Sequence, residues 1–513
     1  MDFQLTPDQE LVRQSVREFA QREIAPYAAE WDREERFPWE AVEKIKPLGY
    51  FGAPIPEEHG GMGLDAVSYA ILVEEIARAD SSVRSIISVN CSLVGLTIVK
   101  WGSDEQKKEW LPKLSSGEVF GCFGLTEPDS GSDAASLKTR AVRDGDDWVI
   151  SGSKMFITNG TVAGLALIVA QTEPGSGSKG TAAFLVPTDT PGFETREIHG
   201  KLGLRASSTA SLHLDDVRVP HDAMLGGIGD GMKVALSTLD NGRVGLGASC
   251  VGLAQACLDS ALKHAKERSQ FGKPIARFQL IQEMLADMAV RIEAARLLVY
   301  RAAAKKDRGE RNTLEASMAK YFASETAVEC ANLAIQVHGG YGYTREYNVE
   351  QFYRDNRLNP IHEGTHGIQA LDLLGRKVVM KDGAAFALLA ERMRQTIAQA
   401  RDTELAGYAQ ALEATLARMA SVTRTLYAAG DMNKTLANAS AYLEAFGHMV
   451  VAWIWLEQGL RALGKDGHDA DFYRGKLQAC AYFFRWELPK TAPQLDLLES
   501  LDTTTLDMQD AWF

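Results

Sequence analysis

The periodicity of apolar residues changes twice along this chain, and that pattern limits the possible folds more than any other feature. From Thr6 to about Cys122 the spacing is helical. Thr6-Pro7-Asp8-Gln9 offers an N-cap threonine, a proline at the first helical position and a glutamine at the third. Leu11, Val12, Val16 and Phe19 then follow at helix spacing. From Gly124 to about Pro220 short runs rich in β-branched and aromatic residues take over. Trp148-Val149-Ile150, Leu165-Ala166-Leu167-Ile168-Val169, Ala183-Phe184-Leu185-Val186 and Leu212-His213-Leu214 are separated by turn clusters such as Asp144-Gly145-Asp146. After Asp240 the helices return and are long. Ile281, Leu285, Met288, Ile292, Ala295 and Val299 form one stripe at spacings of four and three. A second helix runs from about Thr313 to Val337 and stops at Gly339-Gly340. Lys381-Asp382-Gly383 reads as a boundary, followed over residues 384–495 by three or four helices with an Ala/Leu-rich face.

Helices, then strands, then helices exclude an alternating α/β fold. The expectation is an α+β multi-domain chain. It comprises an N-terminal helical domain (1–122), a middle antiparallel β-barrel or sandwich (123–236), a C-terminal helical bundle (237–380) and an extra C-terminal helical extension (384–513).

Composition narrows the function classes. At 513 residues, 45% hydrophobic and 24% charged, the chain is neither disordered nor fibrous. Its longest apolar runs, such as residues 449–456, are too short to span a bilayer, so no membrane insertion is expected. Met1-Asp2-Phe3-Gln4 has neither a basic nor an apolar leader region, so no secretory signal is expected. Cys91, Cys122, Cys250, Cys257, Cys330 and Cys480 show no C-x-x-C spacing, which predicts free thiols and no metal site. A net charge of −13 argues against nucleic-acid binding. The expectation is a cytoplasmic enzyme. Residues 175–180 spell G-x-G-x-x-G, but a strand pattern follows them where a dinucleotide site needs a helix, so they read as a loop.

The most informative stretch is 121–133, G-C-F-G-L-T-E-P-D-S-G-S-D. Small and hydroxyl residues let backbone N–H groups approach a flat or phosphorylated ligand. Alone, a polar connecting loop accounts for the stretch equally well. The whole string, however, resembles the G-L-T-E-x-x-x-G-S-D of acyl-CoA dehydrogenase flavoproteins, and the resemblance extends to about residue 378. It implies FAD as cofactor, with Leu125, Thr126 and Ser132 in its site. Lys154-Met155-Phe156-Ile157-Thr158-Asn159 is similar to the family's flavin-facing strand, with Phe156 in place of the common Trp and Thr158 beside the flavin. Arg268-Ser269-Gln270-Phe271-Gly272 with Gln279 resembles a block that reaches the neighbouring subunit's FAD, which implies at least a homodimer. Gln336-Val337-His338-Gly339-Gly340-Tyr341 matches a further cofactor signature, and Gln351 stands at a later position that is usually basic.

His362-Glu363-Gly364-Thr365-His366-Gly367-Ile368-Gln369 resembles the family's Y-E-G-T-x-x-I-Q. The resemblance makes Glu363 the general base, Thr365 a cofactor contact and Gly364 a substrate contact. His362 replaces the usual Tyr, and Gly367 a usual Glu or Gln. A carboxylate suits the task because burial can raise its pKa from about 4.3 toward neutrality. Some branches place the base just before a middle-helix Arg. Here that position is Gly242 in Asp240-Asn241-Gly242-Arg243, which leaves Asp240 and Arg243 to hold the CoA arm and order the base.

Arg84 lies in Asp80-Ser81-Ser82-Val83-Arg84-Ser85, at a helix start where the dipole disfavours a cation. The plain reading pairs it with Glu74 or Glu75. The segment resembles glutaryl-CoA dehydrogenase, in which Arg and Ser meet a distal carboxylate, so Arg84, Ser85 and Ser132 are substrate-binding candidates. Ala77 stands where that branch has a second Glu. The family implies oxidation of an acyl-CoA to a trans-2-enoyl-CoA with electrons passed to electron-transfer flavoprotein. A flavin oxidase using O2 and a non-catalytic binding protein on the same fold are the competing classes.

Overall fold

The computed structural model describes residues 5–465 and 470–512, so the reading of Met1-Asp2-Phe3-Gln4 lies outside the described residues. The chain packs into two compact units, Leu5–Glu363 and Gly364–Phe513.

In the first unit, the helix Pro7–Glu23 starts as its residues dictate. Thr6 Oγ1 accepts the Gln9 N–H at 3.2 Å while Gln9 Oε1 accepts the Thr6 N–H at 3.0 Å, a reciprocal capping box. The buried helix Ala66–Ala79 lies against the long helix Gly231–Glu267. The two backbones nearly touch: a Cβ on Gly252 would sit 2.0 Å from the Glu74 carbonyl oxygen, so only glycine fits there. Helices Gln279–Asp307 and Thr313–His338 complete the bundle. Met288, Ile292, Ala295 and Val299 of the predicted stripe are buried, whereas Ile281 and Leu285 near the helix start are half-buried. The second helix ends where its glycines stop it, with Gly339 at φ +60°.

Eight strands form the sheet of this unit: β1 (Gly121–Gly124), β2 (Arg140–Asp144), β3 (Asp147–Thr158), β4 (Leu165–Gln171), β5 (Thr181–Pro187), β6 (Phe193–Glu197), β7 (Thr209–Pro220) and β8 (Met224–Leu225). Their order is β6-β7-β3-β2-β4-β5-β8, with β1 also on β4. The expected antiparallel sheet needs one correction, because β1 runs parallel to β4 and β2 meets β4 in parallel at Arg140 and Gln171. Residue alternation reports which face a side chain takes and carries no information about strand direction. β4 is buried on both faces. Ala166, Ile168 and Ala170 join Trp148, Phe184 and Leu212 in one core. Leu165, Leu167 and Val169 meet Leu111, Leu114 and Val234 of the helices in another. That double burial explains a continuous apolar run in place of alternation. Residues 175–180 form the turn between β4 and β5, with one short helical turn at Gly177–Gly180.

The second unit is helical. Its central helix, Ala439–Ala462, buries all of residues 449–456. Thr423 and Tyr442 hydroxyls hydrogen-bond at 2.7 Å inside it, and the helix His366–Asp372 packs on the same element. By length and hydropathy Ser81–Trp101 and Gly231–Glu267 could cross a membrane, yet 89% and 78% of their most apolar windows are buried within the protein. All six cysteines are buried and unpaired, and among the described residues no three His, Cys, Asp or Glu side chains gather as a metal site would need.

Candidate active site

A cleft in the first unit gathers residues from three directions. One wall is the helix Ser81–Ser88, which Asp80 caps by accepting the Val83 N–H at 2.7 Å. It runs directly into a π-helical segment, Val89–Gly95, that brings Val89 and Leu93 to the same wall. Arg84 on this wall is only 4% exposed. Its Nη1 donates to Ser88 Oγ at 3.2 Å, and its Nε has no partner. The sequence expectation of a pair with Glu74 or Glu75 does not hold. Glu74 is taken by Arg296 and Tyr300, both at 2.9 Å, and Glu75 by Arg17 at 2.5 Å. Burial lowers the pKa of the Arg84 guanidinium, with Glu363 the first of the groups opposing that shift. Ser85 donates to the Ser82 carbonyl at 2.7 Å, and its Oγ lies 3.1 Å from Ser207 Oγ.

The second wall is the end of the sheet. Leu125 and Thr126 follow β1, and Phe156 and Thr158 close β3. Register slips against β7 between Lys154 and Ile157, and Phe156 takes φ +61°. Such a bulge re-aims a side chain, and the Phe156 ring is 64% exposed beside the cleft. Asn159 then ties this strand end to the first wall, donating to the Ile86 and Gly121 carbonyls at 3.3 and 3.2 Å. Among the described residues, the Thr126 and Thr158 hydroxyls take no hydrogen-bond partner. An open aromatic face flanked by two free hydroxyls fits the flat, polar-edged ring system of a flavin.

The third side is Glu363, in the left-handed region at φ +55°. Non-glycine residues rarely adopt that conformation, and strain of this kind clusters at functional sites. The residue as a whole is half-buried, but its Oε2 is buried without a hydrogen-bond partner. Burial raises its pKa, against the opposing pull of Arg84, Lys320 and Arg243. His362 beside it is held neutral, burial pushing its pKa down to about 3, with Nδ1 hydrogen-bonded to the Leu358 carbonyl at 3.0 Å. Asp240 and Arg243 pair at 2.9 Å one residue either side of Asn241-Gly242. They stand behind the cleft, where Arg243 also reaches Ser317 at 3.4 Å.

The other sequence candidates do not line this cleft. Arg268, Gly339 and Gly340 line a second concavity with His264, His338 and Tyr341, and it shares no residue with the Glu363 cleft. Phe271, 93% exposed, and the exposed Gln279 and Gln336 line neither. Ser132 is exposed on its loop. Gly364 (φ +102°) and Thr365, the N-cap of His366–Asp372, belong to the second unit. Glu127 and Lys154, which lie inside the G-L-T-E and K-M-F-I-T-N strings, are also brought together. They form a buried ion pair of 2.7 Å, which the spacing of the two residues along the chain does not signal.

Comparison with known proteins places this geometry. Residues 6–118, 122–217 and 229–378 match the models for acyl-CoA dehydrogenase N-terminal, middle and C-terminal domains, and 389–509 match an acetyl-CoA dehydrogenase C-terminal-like domain. The mitochondrial short-chain specific acyl-CoA dehydrogenase of Bos taurus is 46% identical over 372 residues, 72% of this chain and 90% of the bovine one. Glutaryl-CoA dehydrogenase of Desulfococcus multivorans is 45% identical over 386 residues, 73% of this chain and 98% of that protein. The crystal structure of a Bacillus anthracis acyl-CoA dehydrogenase complexed with FAD superposes with a TM-score of 0.87 at 27% identity, covering 99% of this chain and 90% of that one.

Proposed function

The chain belongs to the acyl-CoA dehydrogenase family, and from that premise we propose that it oxidises a short acyl-CoA bearing a distal carboxylate, with Glu363 as the base. The reaction class is FAD-dependent dehydrogenation of an acyl-CoA thioester. When bound, FAD supplies the acceptor for the hydride that leaves the β-carbon.

Glu363 takes the α-proton. Its unpartnered, buried Oε2 has a lone pair free for that proton, and its raised pKa makes it a stronger base than an exposed carboxylate. Thr126, Phe156 and Thr158 form the face on which the flavin ring rests, with Leu125 beside it. Arg243, ordered by Asp240, contributes positive potential behind Glu363.

The observation that carries the substrate reading is Arg84. It is buried, it lines the cleft, and among the described residues it forms no ion pair. A buried charge without a partner is costly, and a substrate carboxylate would complete the pair. A plain short acyl chain is the second reading, favoured by Ala77, which stands where the glutaryl-type segment has a Glu, and by His362 in place of the usual Tyr. Flavin bleaching against acyl-CoAs of three to sixteen carbons, with and without a terminal carboxylate, separates the two. Equal or better reduction by uncharged chains removes the carboxylate reading and leaves the dehydrogenase standing.

Arg268, Gly339 and Gly340, which line a concavity sharing no residue with the Glu363 cleft, are assigned to the FAD of a second copy, supported by the exposure of Phe271 and Gln279. The working unit is then at least a homodimer, and a flavin-loaded monomer in light scattering would refute it. Electron-transfer flavoprotein is the proposed acceptor. Comparing its reduction with peroxide release distinguishes this reading from an oxidase.

A further inference from the structure

We propose that Lys154 and Glu127 are positioning residues for the cofactor, their buried ion pair fixing the Thr126 segment against the strand that carries Phe156 and Thr158 and turning the Thr126 N–H into the cleft. This rests on the assignment of that cleft to FAD.

The pair sits directly behind the two segments that form the sheet wall. Lys154 is fully buried two residues before Phe156, and Glu127 is 5% exposed next to Thr126. Nζ lies 2.7 Å from Glu127 Oε1 and donates to the Leu125 carbonyl at 3.2 Å. Glu127 also accepts the Lys138 and Thr139 N–H groups at 2.5 and 2.9 Å, which pins the far end of the loop. The Met155 N–H donates to the Thr126 carbonyl at 2.9 Å. In a trans peptide the C=O and the following N–H point in opposite directions. With the Leu125 carbonyl drawn inward to Lys154, the Thr126 N–H faces outward, and among the described residues it finds no acceptor. The ammonium thus orients a free donor it never touches.

Neither residue lines the cleft, so neither has a chemical task there. Stability is a poor reason for the pair, because replacing a buried ion pair by neutral groups of similar volume is often neutral or better. Burial lowers the Lys154 pKa to about 8, opposed by Glu127. Glu127 is pushed up by burial, but the charge and hydrogen bond of Lys154, with the Thr139 and Lys138 contacts, hold it below the usual carboxylate range.

The test is FAD titration of protein stripped of its cofactor, for wild type, Lys154→Met, Glu127→Gln, the double variant and Phe156→Ala. The double variant holds no unpaired buried charge. It should melt within a few degrees of the wild-type apoprotein, yet bind FAD at least tenfold more weakly and show a shifted visible flavin spectrum. Wild-type FAD affinity in a folded double variant, with Phe156→Ala weakened, overturns the proposal. Unchanged affinity in both overturns the cleft assignment and the proposal with it.

Discussion

Gly242 lies directly beneath Glu363: a Cβ built on it would sit 2.7 Å from Glu363 Oε2 and 3.0 Å from Leu93 Cδ2. The carboxylate occupies space that any other residue at 242 would claim. A Cβ at 242 would therefore push the flexible end of the Glu363 side chain out of its present position. Gly242→Ala is expected to displace the carboxylate and lower kcat at least tenfold, with FAD still bound. Single-turnover flavin bleaching reads this directly, and an unchanged bleaching rate would show that the base stands elsewhere.

Glu363→Gln keeps shape and removes basicity. The variant should fold, bind FAD and remain yellow, while its rate of bleaching by any acyl-CoA falls by about 10²–10⁴, the usual weight of a general base. Substantial residual turnover would mean that Glu363 is not the base.

Arg84→Ala should discriminate between substrates. Losing one partner of a buried pair typically costs about 3–5 kcal/mol, or a factor of a hundred or more in kcat/KM for carboxylate-bearing acyl-CoAs. Butyryl-type substrates should be retained or improved. A uniform loss across the panel would show Arg84 to be structural.

The pH profile follows from the same neighbours. The folded Glu363 pKa is raised by burial and held back by Arg84, Lys320 and Arg243. The acidic limb of kcat/KM for an uncharged acyl-CoA should therefore lie above the ordinary Glu range. Arg84→Met, which removes one of the opposing cations, should move that limb to higher pH. Movement to lower pH would contradict the electrostatics of the site.

Two further buried acids should govern stability. Asp80 caps the Arg84 helix and accepts from Gln351 at 3.4 Å, and Asp355, one turn on from Gln351, accepts the Leu204 N–H at 2.7 Å. Burial raises them to about 7 and about 8. Unfolded, both ionise near 3.9. Their contribution to stability is therefore complete below about pH 4 and is lost as pH rises through 7 to 8. Thermal melts should show Tm falling from pH 5 to 8.5. Asp355→Asn, which keeps an oxygen for Leu204, should flatten that fall by on the order of 1–3 kcal/mol. An unchanged slope would mean the carboxyl is ionised throughout.

Much of this molecule was legible in its residues because the relevant physics is local. Thr6 with Gln9 dictates a capped helix, and Gly339 ends another because its backbone is left-handed. The segregation of 3.6-residue and 2-residue periods separates the bundles from the sheet, and the G-L-T-E, K-M-F-I-T-N and H-E-G-T strings single out the cleft residues. Periodicity could not reveal that β1 joins β4 in parallel, since direction along a strand leaves no mark on alternation.

The order of helical and strand segments, and the residue types offered to a site, follow from local patterns along the chain. Which charges would be answered follows from packing alone. Glu74 and Glu75 stand on the helix just before Arg84, yet Arg296, Tyr300 and Arg17 claim them, and Arg84 is left facing the cleft. Glu127, on the loop after β1, finds Lys154 of β3, and Glu363 finds the empty space over Gly242. Pairing and burial depend on atoms that the chain brings together from far apart, and the free energy of a charge is set by those neighbours.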